Sequence, residues 1–316
     1  MSNRFWRMSL MFAGVVVPLL LGGCSNEARR PGKVRVVATY SVLGDLVKNV
    51  AGDGADVVLL VGPDGDTHTF EPTPKDGVSL AEADVIFENG VGFETWLDKL
   101  HSSSRSKAKR VVVTEGLRLL EGEDDHDHKN GKAHKHEVEH DPHVWHDVKN
   151  AIHMVGVIRD KLAEADPPNA DKYRANAAAY LDRLNALDAW VVEKVGTLPK
   201  EKRKLVTSHD TFGYFAERHG FEVVGSGLES VSTEASDPSP ATFAKLVESV
   251  KAAKVPALFA ENIHNPKLME RLAKEAGVRL APPLFTDALG KPGSEGDTYE
   301  KMIRYNVATI VDALKP

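Results

Sequence analysis

From Val34 onward, short runs of aliphatic and β-branched residues alternate with longer stretches whose apolar positions recur every three or four residues. That alternation is the pattern of a mainly parallel sheet covered by helices, so the fold class expected is α/β. Residues 34–37 predict a first strand and 42–50 the helix after it. Residues 57–61, 85–87 and 111–113 predict further buried strands, and the first sheet is complete after Thr114. Residues 121–141 lose all apolar periodicity in favour of charge, glycine and histidine, the composition of a solvated loop. Beyond it, 151–162 has helical spacing and Pro167-Pro168 interrupts the pattern. A long helix follows over about 169–195, with Tyr173, Ala177, Tyr180, Leu181, Leu184, Leu187, Val191 and Val195 in one stripe. Such a helix is roughly 40 Å long at 1.5 Å per residue, enough to act as a rigid link between two lobes. Past Pro199 the alternation restarts, with strands at 205–207, 221–224 and 257–260 and helices at 212–219, 240–252, 266–276 and 299–314. The halves share no close sequence repeat, so any likeness between them is architectural.

Length and composition fit this plan. The chain has 316 residues, of which 42% are hydrophobic and 27% charged, enough for two compact α/β lobes. A formal net charge of −6, without a Lys/Arg cluster interleaved with aromatics, excludes a nucleic-acid partner. At the N-terminus, Arg4 and Arg7 precede an apolar run from Met8 to Leu21 that is short for a membrane span and reads as an export signal. The run ends at Leu21-Gly22-Gly23-Cys24, which resembles the lipobox of bacterial lipoproteins and implies lipid attachment at Cys24. Residues 25–33, with Pro31 and Gly32, read as a polar tether. The expected division is therefore 1–23 signal peptide, 24–32 tether, 33–167 N-terminal lobe, 168–197 linking helix and 198–316 C-terminal lobe. Cys24 is the sole cysteine, so no intramolecular disulfide can form and any metal site in the mature chain must use nitrogen and oxygen.

Histidine is the strongest chemical signal. Seven of the thirteen lie between His126 and His146. His126, His128, His134, His136 and His140 sit in the polar loop, where density of imidazoles in a solvated segment points to weak, auxiliary metal binding. His143 and His146 adjoin Val144 and Trp145 and can pack. Four short polar stretches are better placed for a tight site: Asp66-Thr67-His68, Asp141-Pro142-His143, Ser208-His209-Asp210 and Thr286-Asp287-Ala288. Three of them trail predicted strands, at 57–61, at 205–207 and in a short apolar run ending at Phe285, and ligands of open α/β sheets gather beyond the carboxyl ends of strands, so a pair from each lobe can converge on one cleft.

These stretches also carry a family resemblance. Thr39-Tyr40-Ser41 through Asn49-Val50-Ala51-Gly52, Asp66 through Pro74, Asp141-Pro142-His143-Val144-Trp145, Ser208 through Phe215 and Thr286-Asp287, in that order behind a lipobox, resemble the zinc and manganese receptors of ABC importers, the cluster A-I (cluster 9) substrate-binding proteins. The resemblance implies two similar α/β lobes joined by one long helix. It implies an ion held between the lobes by His68, His143, His209 and a carboxylate, best matched by Asp287, and a partner permease with its cytoplasmic ATPase. Manganese-linked members often carry Glu at the third position, where this chain has His209.

Three neutral imidazoles and one carboxylate suit tetrahedral Zn²⁺, whereas Mn²⁺ favours oxygen-rich, higher-coordinate sites, so zinc is the expected cargo and manganese the alternative. Glu261, after the strand at 257–260, is the competing carboxylate or else orients a ligand. His146 reads as a neighbour of the site or a surface group. Glu71 reads as a hydrogen-bond acceptor in a loop fixed by Pro72 and Pro74. The expected protein is an extracytoplasmic, membrane-anchored monomer that captures and releases an ion without making or breaking a covalent bond. Its rivals are an anchored zinc buffer or adhesin, and a zinc hydrolase. The hydrolase reading lacks His-Glu-x-x-His and a positioned base.

Overall fold

The alternating pattern folds into two parallel sheets. This computed structural model describes residues 32–122, 140–224 and 238–315. The first sheet contains β1 (Val34–Ala38), β2 (Ala55–Leu59), β3 (Val85–Glu88) and β4 (Lys109–Val112) in the order β2-β1-β3-β4, with every pairing parallel. Val36, Val37 and Ala38 of the interior strand β1 are fully buried, as expected for a strand covered on both faces. Helix α1 (Ser41–Ala51) lays Val42, Leu43, Leu46, Val47 and Val50 into the core. It approaches closely because Gly44 leaves room for Leu59: a Cβ there would sit 2.0 Å from the leucine Cδ2.

Two further helices, α2 (Pro74–Ala81) and α3 (Leu97–Ser104), flank this sheet. Pro74 does not merely stiffen the preceding loop, as the sequence reading had it. It occupies the first turn of α2, where its missing N–H costs nothing, and Asp76 accepts the Thr73 backbone N–H at 2.7 Å.

Helix α4 (Val148–Ala165) begins three residues before the predicted start because the Asp147 side chain caps the N–H of Lys149. A single 3₁₀ turn at Pro167–Asn169 leads into α5 (Ala170–Gly196), 27 residues long, which buries Tyr173, Ala177, Tyr180, Leu184, Leu187, Val191 and Val195. No helix among the described residues is long and apolar enough to cross a membrane.

The second lobe repeats the plan. It contains β5 (Lys204–Leu205), α6 (Gly213–His219), β6 (Glu222–Val223), α7 (Pro240–Ala253), β7 (Ala257–Glu261), α8 (Lys267–Ala276), β8 (Arg279–Leu284) and α9 (Tyr299–Leu314). β5 pairs with β6 and β7 with β8, all parallel, and a parallel bridge between Thr207 and Phe259 joins the two ribbons. The spatial order β6-β5-β7-β8 thus matches the order of the first sheet, strand for strand. β8 carries Pro282-Pro283, tolerable only because it is an edge strand, and its register with β7 shifts between Phe259 and Glu261. That shift lies one strand end from the site.

One apolar cluster runs from β1 and α1 through α4, α5 and α9 to Leu205, Phe259 and Leu284, while a smaller one around Val206, Phe243, Leu258 and Leu272 fills the outer part of the second lobe. Polar contacts add to the shared core across the cleft. The Trp145 indole N–H donates to the Thr286 carbonyl at 3.0 Å, the Leu289 N–H to Ser41 Oγ at 2.9 Å, the Asp64 N–H to the Leu289 carbonyl at 2.8 Å and the Asn262 side-chain amide to Asp64 Oδ1 at 2.9 Å.

Candidate metal centre

Loops from both lobes deliver four side chains to one point. His68 lies in the loop after β2, His143 at the start of the 3₁₀ turn before α4, His209 in the loop after β5 and Asp287 just beyond β8. Their ligand-type atoms all lie within 4.8 Å of one another. His68 Nε2 and His209 Nε2 each stand 3.3 Å from Asp287 Oδ2, His143 Nε2 stands 3.7 Å from Asp287 Oδ1, and the Nε2 atoms of His68 and His143 are 3.3 Å apart. His143, His209 and Asp287 are buried, and the His68 side chain retains 27% of its exposure.

Each ring is held from behind. The His68 N–H donates to Asp66 Oδ1 at 2.8 Å, Asp66 Oδ2 accepts the Thr69 hydroxyl at 2.7 Å, and the ring meets Phe93 edge-on at 4.8 Å. The His143 N–H and its Nδ1 both reach Asp141 Oδ1 at 2.8 Å, and the Asn89 amide donates to the Pro142 carbonyl at 2.9 Å. The His209 N–H donates to Glu261 Oε1 at 2.9 Å and its Nδ1 lies 2.5 Å from Glu261 Oε2, which also accepts the Thr286 hydroxyl at 2.9 Å. Carboxylates on Nδ1 leave the Nε2 atoms of His143 and His209 free to face Asp287, the arrangement by which outer carboxylates orient and strengthen imidazole ligands.

Charge follows geometry. Burial by itself would hold the His143 imidazolium down, yet Asp287 and Asp141 together push it up to about 9. For His209, burial again opposes, and Glu261 and Asp287 raise it well above the ordinary imidazole range. Asp287 is buried, which alone would favour its acid form, but His209 and His143 hold it well below the usual carboxylate range. Without an ion the cluster therefore keeps its protons, and a divalent cation would take their place.

The other sequence candidates separate. Glu261 stands behind His209, outside the group of four, and also belongs to a second group with His209 and His264. His146 is buried, which corrects its reading as a surface group. It stacks on Phe212 at 4.4 Å, lies outside both groups, and burial pulls its imidazole down to about 3. Glu71 is exposed and away from the cluster, and the acceptor role expected of it falls to Asp66 and Asp76. His140 anchors the end of the polar loop, its Nδ1 3.2 Å from the Leu120 carbonyl. His126, His128, His134, His136 and Cys24 lie outside the described residues. Asp141, Thr286, Trp145 and His264 were not assigned roles from sequence. Only Asp141 had a usable signal, the Asp-x-His spacing that it shares with Asp66.

Known proteins share this architecture over most of the chain. Residues 36–313 match the family described as zinc-uptake complex component A, periplasmic (ZnuA). The manganese-binding lipoprotein MntA of Halalkalibacterium halodurans is 35% identical over 98% of this chain and 99% of its own. The manganese ABC transporter substrate-binding lipoprotein PsaA of Streptococcus mitis is 32% identical over 99% of each. Among solved structures, the periplasmic zinc binding protein TroA from Treponema pallidum aligns with a TM-score of 0.80 at 33% identity, covering 90% of this chain and all of that one. The manganese-bound periplasmic metal binding protein of Candidatus Liberibacter asiaticus aligns with a TM-score of 0.75 at 27% identity, with the same coverage. The chain belongs to the ZnuA family of metal-binding, substrate-binding lipoproteins of ABC importers.

Proposed function

We propose that this protein captures Zn²⁺ outside the cytoplasm through His68, His143, His209 and Asp287 and hands it to the permease of an ABC importer. The observation that carries the reading is the spacing of the donor atoms. Four ligands at tetrahedral corners about 2.0–2.1 Å from a zinc ion are separated by about 3.3 Å. Of the six separations among the four ligands, three are 3.3 Å, His143 stands 3.7 Å from the other oxygen of Asp287, and all lie within 4.8 Å. Three imidazoles and a single carboxylate are a nitrogen-rich set, which suits zinc better than the oxygen-preferring Mn²⁺. The cycle is one of binding and release: the ion displaces the protons held on His143 and His209, and docking to the permease opens the cleft. Cys24 supplies a lipid tether, the folded part stands as a monomer on the outer side of the membrane, and the histidines of the 121–141 loop collect zinc weakly near the cleft.

A manganese cargo is the second reading, favoured by relatives named for manganese, among them MntA and PsaA. Metal analysis of protein purified after anaerobic expression, followed by competition between Zn²⁺ and Mn²⁺, separates the two. Zinc retained against excess manganese supports the proposal, and preferential retention of manganese overturns it. Calorimetry on protein lacking residues 121–140 should keep the tight zinc equivalent and lose only the weak ones.

A further inference from the structure

Beside the four-residue centre, the turn after β7 places one more imidazole that the capture reading does not use. His264 is half-buried, and its Nε2 is shielded from solvent with no hydrogen-bond partner among the described residues. A buried ring nitrogen left without a partner is costly and calls for an explanation. The ring packs edge-on against His209 with centroids 5.1 Å apart, and ligand-type atoms of His209, Glu261 and His264 lie within 4.8 Å of one another. Glu261 receives the His209 N–H, the Thr286 hydroxyl and His209 Nδ1. A carboxylate has about four acceptor positions, so one is left for a cation. His264 keeps part of its exposure, whereas Glu261, His209 and Asp287 are buried, so of these four it is the residue that solvent reaches.

The geometry points to a transit site: His264, with Glu261 and the shared ring of His209, holds the metal ion briefly on its way into and out of the four-residue centre. This rests on the reading of that centre as the capture site. A fully hydrated divalent ion reaching Asp287 directly would have to shed its water in one step. Passage over His264 and Glu261 replaces part of the hydration shell first, and because the His209 ring belongs to both sets the two positions adjoin.

The test is stopped-flow capture of Zn²⁺ by the full mature chain, and its release to an excess of a zinc-binding chelator, for the native protein, His264→Ala, His264→Gln and His68→Ala. The loop histidines are present in all four and cancel. A transit ligand acts on the path in both directions, so each His264 variant should slow capture and release by about tenfold, with affinity, their ratio, moving less than either rate. Capture and release rates within twofold of native in both His264 variants would overturn the proposal. So would a weakened affinity that arises from faster release alone, because His264 would then be an ordinary supporting residue. Circular dichroism and thermal unfolding identify a variant that has not folded, and the Gln variant keeps the volume of the ring. If His68→Ala abolishes tight zinc while the His264 variants behave as native, the four-residue centre stands and only the transit site falls. If His68→Ala binds zinc as tightly as the native chain, the capture reading itself fails.

Discussion

His68 and His143, from the N-terminal lobe, each follow an aspartate by two residues, and each donates its backbone N–H to that aspartate's Oδ1 at 2.8 Å. His209, from the C-terminal lobe, is held instead by Glu261, 52 residues further along the chain, through both its backbone N–H and its ring. The strand order is the same in both lobes, but one lobe aims its ligands by local Asx-type turns and the other by a side chain from the neighbouring strand. Local turns travel with their loop when the lobe moves. The Glu261–His209–Thr286 network instead ties the end of β7 to two loops of the second sheet. On this contrast the C-terminal half is expected to be the preorganised part of the centre, and the N-terminal half, with partly exposed His68, the part that arrives.

The largest effect should follow from removing Asp287, because it alone meets all three imidazoles and is fully buried. Deleting one partner of a buried charged set costs about 3–5 kcal/mol, or roughly 10²–10⁴-fold in affinity. Asp287→Ala should therefore reduce zinc affinity in chelator competition by that factor. His68→Ala should cost less than His209→Ala, since its ring is the most exposed and the least tied. Equal losses for the two histidines would break the distinction between a preorganised and an arriving half.

The next largest effect is that of pH. The folded, metal-free chain holds His143 at about 9, above its ordinary 6.5, so its charged ring stabilises the metal-free fold below pH 6.5, and that contribution is lost as pH rises through about 9. Zinc needs the neutral ring and gains over the same window. Affinity should climb by about tenfold per pH unit between roughly 6.5 and 9 for each proton displaced, while the melting temperature of the metal-free protein falls. A zinc affinity that is flat across this range would show that the ion does not displace the His143 proton.

A smaller effect separates the two orienting carboxylates. Outer-shell partners of metal-binding histidines are worth about 10–100-fold in affinity. Glu261→Gln should fall near the top of that range, because Glu261 uses both oxygens, one on the His209 N–H and the other on the ring and the Thr286 hydroxyl, and an amide keeps only one acceptor oxygen. Asp141→Asn should fall near the bottom, because a single oxygen of Asp141 takes both the N–H and the ring of His143, and an amide oxygen can do the same. Equilibrium chelator competition on the two variants checks the order, and an inverted order would mean that the N-terminal half is the stiffer one.

The same contrast explains what the sequence made legible. Strand and helix positions around β1, α1, α5, β7 and α9 follow from apolar periodicity, and α9 begins and ends at the predicted residues. Helices α2 and α3 were missed because each is only 8 residues long and α2 starts on a proline, which reads as loop until the Thr73–Asp76 contacts are seen. β8 showed only as an apolar run ending at Phe285, since Pro282-Pro283 mask an edge strand. In the centre, the four clustered side chains stand in recognisable short motifs, and Asp141 is marked by its two-residue spacing to His143. Glu261 is marked by its place after the strand at 257–260 as a carboxylate that ligates or orients a ligand, but which histidine it holds depends on strand pairing, and the approach of His264 depends on a turn that no local pattern announces.

The smallest expected effect bears on the seam between the halves. Trp145 is fully buried, and its indole N–H donates at 3.0 Å to the carbonyl of Thr286, the residue before Asp287, while the Trp145 carbonyl accepts the Tyr299 hydroxyl at 2.7 Å. His143 and Asp287 are therefore coupled through a single side chain that reaches from one lobe to the other. Trp145→Phe keeps an aromatic ring against Tyr40 and Phe93 but removes the donor, leaving the Thr286 carbonyl without that partner. The loss of one buried neutral hydrogen bond is worth about 1 kcal/mol. If the bond forms only in the closed arrangement, the loss appears in zinc affinity, as a factor of about five, and leaves the melting temperature of the metal-free chain nearly unchanged. If the lobes are joined at this seam with or without the ion, it appears in the melting temperature and spares the affinity. Measuring both on the one variant decides whether the N-terminal half arrives with the metal or already rests against its partner.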